Sequence, residues 1–334
     1  MITFYSPGQK GVPAGPEDCQ ALAARSVWID LFQPTRAEEV AIEQAVGTEV
    51  PTREEMNEIE LSRRLYRDRD HLFMTATVVT RSDSSHPESS AITFILGPER
   101  LVTVRYTTPT AFTMFASRWE SSGADFPNAP RALIGMLDAI VERLADILEH
   151  VGASLDQLSL EVLGNGAPEP VAIRLPTRKK PRVQRDFKEV LRRIGRASDL
   201  ASRARESLVS VSRLVAHARE AHHHTVLQGE QAHLHTVTAD LLAMSDHATF
   251  LSGKVSFLLD ATLGLINNDQ NSIIKIVSVA TLVFLPPTLV ASIYGMNFEH
   301  MPELRWLLGY PGAIGMMVVS AILPYMFFKR KGWL

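Results

Sequence analysis

Residues Ile276–Met296 read IVSVATLVFLPPTLVASIYGM, a run without a charged side chain. About 20 apolar residues is the length a helix needs to cross the hydrocarbon core of a bilayer, so this stretch predicts a transmembrane span. A second uncharged run, GAIGMMVVSAILPYMFF at Gly312–Phe328, follows a short polar link and stops at Lys329, Arg330 and Lys331. It is a little short for a span, and Tyr310 and Trp333 are the expected interfacial ends. The alternative, a buried hairpin in a soluble protein, is disfavoured by the length of the first run.

The flanks predict orientation. The second span ends in three consecutive bases, whereas the link between spans carries Glu299 and Glu303 against Arg305. Basic flanks stay on the cytoplasmic side, which puts the link outside and both termini inside. The first residues, MITFYSPGQKGVP, lack the basic start and apolar stretch of a secretory signal, so insertion is expected to rely on the C-terminal hairpin.

Across all 334 residues the charge is nearly balanced, 34 Lys and Arg against 37 Asp and Glu, a net charge of −3. That gives no reason to expect a nucleic-acid partner. The 46% apolar and 21% charged content excludes a disordered or collagen-like chain. A single cysteine, Cys19, excludes an internal disulfide and a thiolate zinc site.

Residues 1–125 mix β-like runs, SVWIDLF at Ser26–Phe32, HLFMTATVV at His71–Val79, AITFIL at Ala91–Leu96 and RLVTVRY at Arg100–Tyr106, with TRAEEVAIEQAV and REEMNEIELSRRLY, which read as helices. This predicts a cytoplasmic α/β domain. It contains no phosphate loop, G-x-G-x-x-G, G-x-S-x-G or paired metal-ligand motif, so no enzyme is expected. The GNG at Gly164–Gly166 reads as a turn. The RDRD at Arg67–Asp70 reads as a solvated ion-pair face, with Asp68 and Asp70 as cation ligands the alternative.

Residues 126–272 read as a helical hairpin and stalk, interrupted by the Gly-, Pro- and base-rich linker Gly164–Arg182, with helix resuming near Val183 and a turn expected around His222–Gly229. From Leu234 apolar positions recur three and four apart: Leu234, Val237, Leu241, Met244, Ala248, Leu251, Val255, Leu258, Thr262 and Leu265. Such a heptad stripe predicts a packing seam. Two positions along, roughly 200° around a helix, runs a second stripe: Asp260, Gly264, Asn267, Asn271, Ile274, Ser278, Thr281, Leu285, Thr288 and Ser292. It passes from the stalk into the first span, 273–296, without a break, which predicts one helix through both.

Polar and small residues dominate this second stripe. Facing lipid they would gain little, whereas on a shared axis they could line water. The competing reading is that the hydroxyls merely bond back to their own helix. Two spans per chain cannot enclose a water-filled path, so a pore would need several copies around that axis. Rings of Asn271 and Thr288 would then offer neutral oxygens to a hydrated cation, Ile274 and Leu285 would constrict the path, and Asp260 would stand at its cytoplasmic mouth.

At the end of the first span stands Tyr294-Gly295-Met296-Asn297, followed by FEHMPEL at Phe298–Leu304. With LPPT at Leu285–Thr288, GYPGA at Gly309–Ala313 and FKRKGWL at Phe328–Leu334, the chain resembles the CorA family of magnesium transporters, marked by YGMN and MPEL. The N-terminal part fits that family only in layout. The resemblance implies a funnel-shaped homopentamer in the bacterial inner membrane, with a central pore lined by the first span that passes Mg²⁺ and also Co²⁺ or Ni²⁺. It also implies a filter at Gly295, Met296 and Asn297, inner rings at Asn271 and Thr288, and a gate at Ile274, Val277 and Leu285. Asp260 matches a regulatory Mg²⁺ ligand that holds the channel closed.

Further expectations follow: Ser278, Thr281 and Ser292 along the pore wall, Glu299 and Glu303 in the outer loop 297–311, and an inner basic ring of Lys275, Lys329, Arg330 and Lys331. The second span is expected at 312–328 and a basic cytoplasmic tail at 329–334. Mg²⁺ is the expected transported and regulatory ion, with no organic cofactor. Ile274 and Val277 stand where many relatives carry bulkier Met or Leu. Zinc is the alternative ion, suggested by His222, His223 and His224 with His217, His233, His235 and His247 nearby, since imidazole suits it. Consecutive histidines point different ways around a helix, however. The zinc-transporting ZntB branch departs from GMN at its middle residue, and Met296 favours magnesium. A membrane-anchored sensor or scaffold is the competing class.

Overall fold

The computed structural model describes residues 1–84, 86–164, 187–220, 230–296, 306 and 308–331. The chain divides into two units, Met1–Leu259 and Asp260–Leu334.

The first unit is built on a seven-stranded sheet of β1 (Ile2–Tyr5), β2 (Val12–Ala14), β3 (Trp28–Phe32), β4 (Leu65–Asp68), β5 (His71–Thr80), β6 (Glu88–Leu96) and β7 (Leu101–Arg105). Its order is β2-β1-β3-β7-β6-β5-β4, and only the central pair β3–β7 is parallel. The alternation of side chains along β3 separates two cores. Ile29 and Leu31 join Phe4, Val102 and Val104 under α1 (Cys19–Ala23), α2 (Arg36–Val46) and α3 (Arg53–Met56), where Ile42 and Met56 are buried. Trp28 and Asp30 serve the other core, beneath α5 (Thr110–Ser122) and α6 (Ala129–Leu163).

That second core is aromatic. Tyr5 stacks on Trp28 at 3.9 Å, Trp119 stacks on Phe126 at 5.4 Å, and Phe115 meets both tryptophans and Phe126 edge-on or tilted. Gly135 lets α6 approach these rings, because a Cβ there would fall 2.8 Å from Phe115 Cε2 and nearer still to Phe126. Across the central strands a polar chain is fully paired. Trp28 Nε1 donates to Thr103 Oγ1 at 3.0 Å, Thr103 donates to Asp30 Oδ1 at 2.8 Å, and Arg105 forks onto both Asp30 oxygens at 2.8–3.1 Å. The remaining Arg105 nitrogen donates to Thr107 O and Thr108 Oγ1, so the buried charges are both neutralised and bonded.

The run REEMNEIELSRRLY does not form the expected helices throughout. A capping box of Thr52 and Glu55 starts α3, which stops at Met56; only the single turn α4 (Leu61–Arg64) follows before the chain extends into β4. Ile59, the apolar residue that would continue a helical face, is 93% exposed. Tyr66 instead pairs with Phe73 of β5 and stacks on it at 4.6 Å, a cross-strand contact that outweighs local helical preference.

Helices α6 and α7 (Phe187–Glu220) pack on each other and on the sheet, so the α/β layer and the helical pair form one unit. The expected resumption near Val183 and the turn at His222–Gly229 fall outside the described residues, as does most of the 164–182 linker. Helix α8 (Gln231–Tyr294) runs 64 residues. In its first part the predicted seam is buried, with Leu234, Leu241, Ala248 and Leu258 all inaccessible. Two ion pairs, Glu230 with Arg131 and Lys254 with Asp156, and a hydrogen bond between His233 and Asp138 fix this part within the unit.

The second unit holds the rest of α8 and α9 (Gly309–Arg330). Both helices are long and apolar enough to cross a membrane. Phe284, Leu289, Val319 and Leu323 are each more than half exposed, a surface suited to lipid rather than water. Pro286 and Pro287 lie within α8 and remove the donors for the Leu282 and Val283 carbonyls, yet the helix continues.

Candidate ion pathway

The polar stripe survives intact on α8. Asp260, Asn271, Ile274, Ser278, Thr281, Leu285, Thr288 and Ser292 are all exposed in the single chain, and so is Val277 beside them. At about 1.5 Å per residue the stripe from Asp260 to Ser292 is about 48 Å long. Val279, off the stripe, is the buried member of the span.

Two hydroxyls on the stripe bond back to their own helix. Thr281 Oγ1 donates to Val277 O at 2.9 Å, and Thr288 Oγ1 donates to Phe284 O at 2.6 Å. This does not remove them from ion chemistry. A hydroxyl has one proton and two lone pairs, so spending the proton on a carbonyl leaves the oxygen as a pure acceptor, the polarity a cation or its water needs.

The helix ends at Tyr294, where Gly295 N–H donates to Ala291 O at 2.9 Å. A Cβ on Gly295 would approach that same carbonyl to 3.1 Å, so a larger residue at the exit turn would have to displace it by a few tenths of an ångström. Met296 follows and is half exposed. Asn297, Glu299 and Glu303 lie outside the described residues.

Lys329 and Arg330 close α9, where cations favour the negative end of the helix dipole, and Lys331 sits 5.5 Å from the Phe327 ring. Lys275 is exposed on α8. Among the described residues no group of three or more His, Cys, Asp or Glu side chains could hold a metal. Asp68 ends β4, and Asp70 in the following turn lies 3.8 Å from Arg67, the ion-pair face expected for RDRD. His233 is bonded to Asp138 and His247 stacks near Phe250, so these two histidines have protein partners; His222–His224 lie outside the described residues.

The family described as CorA-like Mg2+ transporter protein matches residues 23–330. The chain belongs to this family. It is 34% identical over 322 residues to the magnesium transport protein CorA of Escherichia coli strain K12, covering 95% of each chain. Its fold matches the complete structure of the CorA magnesium transporter from Methanocaldococcus jannaschii with a TM-score of 0.70, at 17% identity, over 100% of this chain and 98% of that one. The ZntB cytoplasmic domain from Vibrio parahaemolyticus is similar at a TM-score of 0.56 and 10% identity, over 81% of this chain and 98% of that one. The CorA-family α/β layout with a long helix and a terminal span candidate is thus present here. The back-bonding weighed as the competing reading is observed at Thr281 and Thr288, through the i−4 carbonyl open to every helical Thr.

Proposed function

We propose that the chain is a CorA-type channel that passes Mg²⁺, with Co²⁺ and Ni²⁺ as further substrates, down its electrochemical gradient. The observation that carries this reading is the exposed polar stripe on an unbroken helix that enters a span. Family membership and the magnesium transport named for the Escherichia coli relative support it. Five copies would bring their stripes to one axis in the inner membrane, with both termini in the cytoplasm.

In this reading the ion meets a ring of Asn297 amides at the outer mouth. Mg²⁺ dehydrates reluctantly, so neutral oxygens can hold its hydrated form without trapping it, as carboxylates would. Glu299 and Glu303 concentrate cations near the entrance. Thr288 and Asn271 offer acceptor oxygens further in, with Ser278, Thr281 and Ser292 along the wall and Ile274, Val277 and Leu285 forming the apolar gate. A membrane potential contributes about 2.3 kcal/mol per charge per 100 mV, so a divalent cation gains about twice that inward without an ATP site. Asp260 binds regulatory Mg²⁺ between copies and holds the channel closed, with Asp68 or Asp70 as candidate partners. Lys275, Lys329, Arg330 and Lys331 form a basic inner ring.

The test is uptake of Mg²⁺, Co²⁺, Ni²⁺ and Zn²⁺ into sealed liposomes carrying the purified protein, with Asn297→Ala beside it. Mg²⁺ entry that disappears in the variant while the oligomer persists is the expected result. Mg²⁺ flux unchanged by the substitution would sink the filter assignment; zinc entry alone would move the chain to the zinc-transporting branch; no flux of any ion would favour a tethered sensor.

A further inference from the structure

Within the first unit, a cavity of about 480 Å³ opens beside α7, with Arg64, Arg205 and Arg213 and one acidic residue, Glu206, among its lining residues. Three positive charges and one negative give the lining a net charge of 3 − 1 = +2. Arg205 and Arg213 are exposed, two turns apart on the same face of α7. Three other arginines of that helix are compensated, Arg192 by Glu189, Arg193 by Glu161 and Arg203 by Asp199, whereas Arg196 and Arg219 lie elsewhere on it without a carboxylate partner among the described residues. Among the described residues no carboxylate lies within 4.0 Å of the nitrogens of Arg64, Arg205 or Arg213.

Arg64 forms one wall of the cavity. Its Nη2 donates to Thr77 Oγ1 at 2.8 Å, while its Nε is buried without an acceptor. Burial holds its pKa below the usual value, Glu206 opposes that shift and Arg213 adds to it. The neighbouring hydroxyls are used as acceptors: Thr77 Oγ1 accepts the hydrogen bond from Arg64 Nη2, and Ser210 Oγ accepts one from the Thr77 backbone N–H at 2.8 Å. Each hydroxyl therefore retains its own proton to donate. The lining is a concentration of donors and positive charge, matched by a ligand made of acceptors and negative charge. Ile59 and Val209 add an apolar wall beside it, and the volume falls in the range of small-molecule sites.

We infer that this cavity binds a phosphoryl group, seated among Arg64, Arg205 and Arg213, either as free phosphate or as the phosphate of an organic ester whose carbon part lies against Ile59 and Val209. A phosphoryl dianion matches the +2 lining, and guanidinium forks fit phosphate oxygens two at a time. This assignment is separate from ion passage and does not rest on it.

The experiment is calorimetric titration of the full-length protein in detergent, with EDTA present, using inorganic phosphate, AMP and ATP in separate runs. Saturable binding of at least one probe is expected, weakened about 10-fold or more in Arg213→Gln, the scale of one charge-assisted hydrogen bond. Arg203→Gln, which removes the same charge from the same helix away from the cavity, should bind as the parent does. Equal affinity for phosphate and the esters assigns the site to free phosphate, whereas tighter ester binding assigns it to a phosphorylated metabolite. No saturable binding of any probe, or equal affinity in Arg213→Gln and the parent, overturns the inference. Because divalent cations are chelated, the outcome is independent of flux.

Discussion

The two units handle polar groups in opposite ways. In Met1–Leu259 the central polar residues are buried and satisfied within the chain: Asp30, Arg105, Thr103 and Trp28 bond to one another with little left for solvent. Among the described residues of Asp260–Leu334 only Thr262, Val279 and Ala313 are buried; large apolar side chains and the Asn, Ser and Thr of the stripe alike stand exposed. The first unit is complete as a single chain. The second carries two helices long and apolar enough to cross a membrane, and under the proposed function its apolar faces meet lipid and its polar stripe meets further copies. Substitutions should therefore reveal themselves differently: as lost stability in the first unit, and as altered flux with stability intact in the second.

The largest test of that contrast on stability is Asp30→Ala. It leaves the Arg105 guanidinium buried without its counter-charge and removes the acceptor of Thr103, and breaking a buried pair typically costs about 3–5 kcal/mol. Denaturant unfolding of the full chain in detergent should report a loss on that scale. A loss below about 1 kcal/mol would mean that the pair is dispensable and that the first unit is less self-contained than its bonding suggests. Gly135→Ala should come next, at about 1–3 kcal/mol, because the new methyl group collides with the packed rings of Phe115 and Phe126. Trimming the obstacle in Gly135→Ala/Phe126→Leu should change the cost in a non-additive way if the clash is its source.

Some of this organisation could be read before the structure. The seam from Leu234 to Leu258 was legible because burial on a helix repeats every three or four residues, and the exposed stripe was legible for the same reason. Strand β7 at Leu101–Arg105 and strand β5 at His71–Thr80 were legible from β-branched and apolar runs. Strand β4 was not, because Leu65–Asp68 becomes a strand by pairing with β5 after a charged run that reads as helix. Nor was β1, whose ITFY is buried on both faces and shows no alternation. The arginine cavity was not legible either: Arg205 and Arg213 stand among many charges on α7, and Arg64 arrives from a distant turn that only the tertiary fold brings near.

In the second unit the expected effects are functional. Asp260→Ala should leave stability unchanged within about 0.5 kcal/mol, since the residue is exposed, while raising the internal Mg²⁺ concentration needed for closure. Inhibition curves measured in liposomes with controlled internal Mg²⁺ would check this; curves that superimpose on the parent's would remove Asp260 from regulation. A large stability loss would instead break the contrast between the units.

The smallest effect at neutral pH belongs to Tyr5, and it sharpens the contrast by isolating burial in the first unit. Burial of its phenol, with the Asp30 charge adding to it, pushes the pKa up to about 12 from an ordinary value of 10.0. The unfolded chain therefore ionises this group first as pH rises. Its contribution is fully present below pH 10 and is lost as pH climbs from about 10 towards 12, because deprotonation then favours the unfolded state. Tyr5→Phe keeps the ring stacked on Trp28 but has no proton to lose, so its stability should track the parent's at neutral pH and fall less steeply above pH 10. Equal alkaline slopes would show that Tyr5 meets water in the folded chain. A flatter slope in the variant would locate part of the alkaline unfolding in the aromatic core, where a polar group is held by its neighbours rather than by solvent.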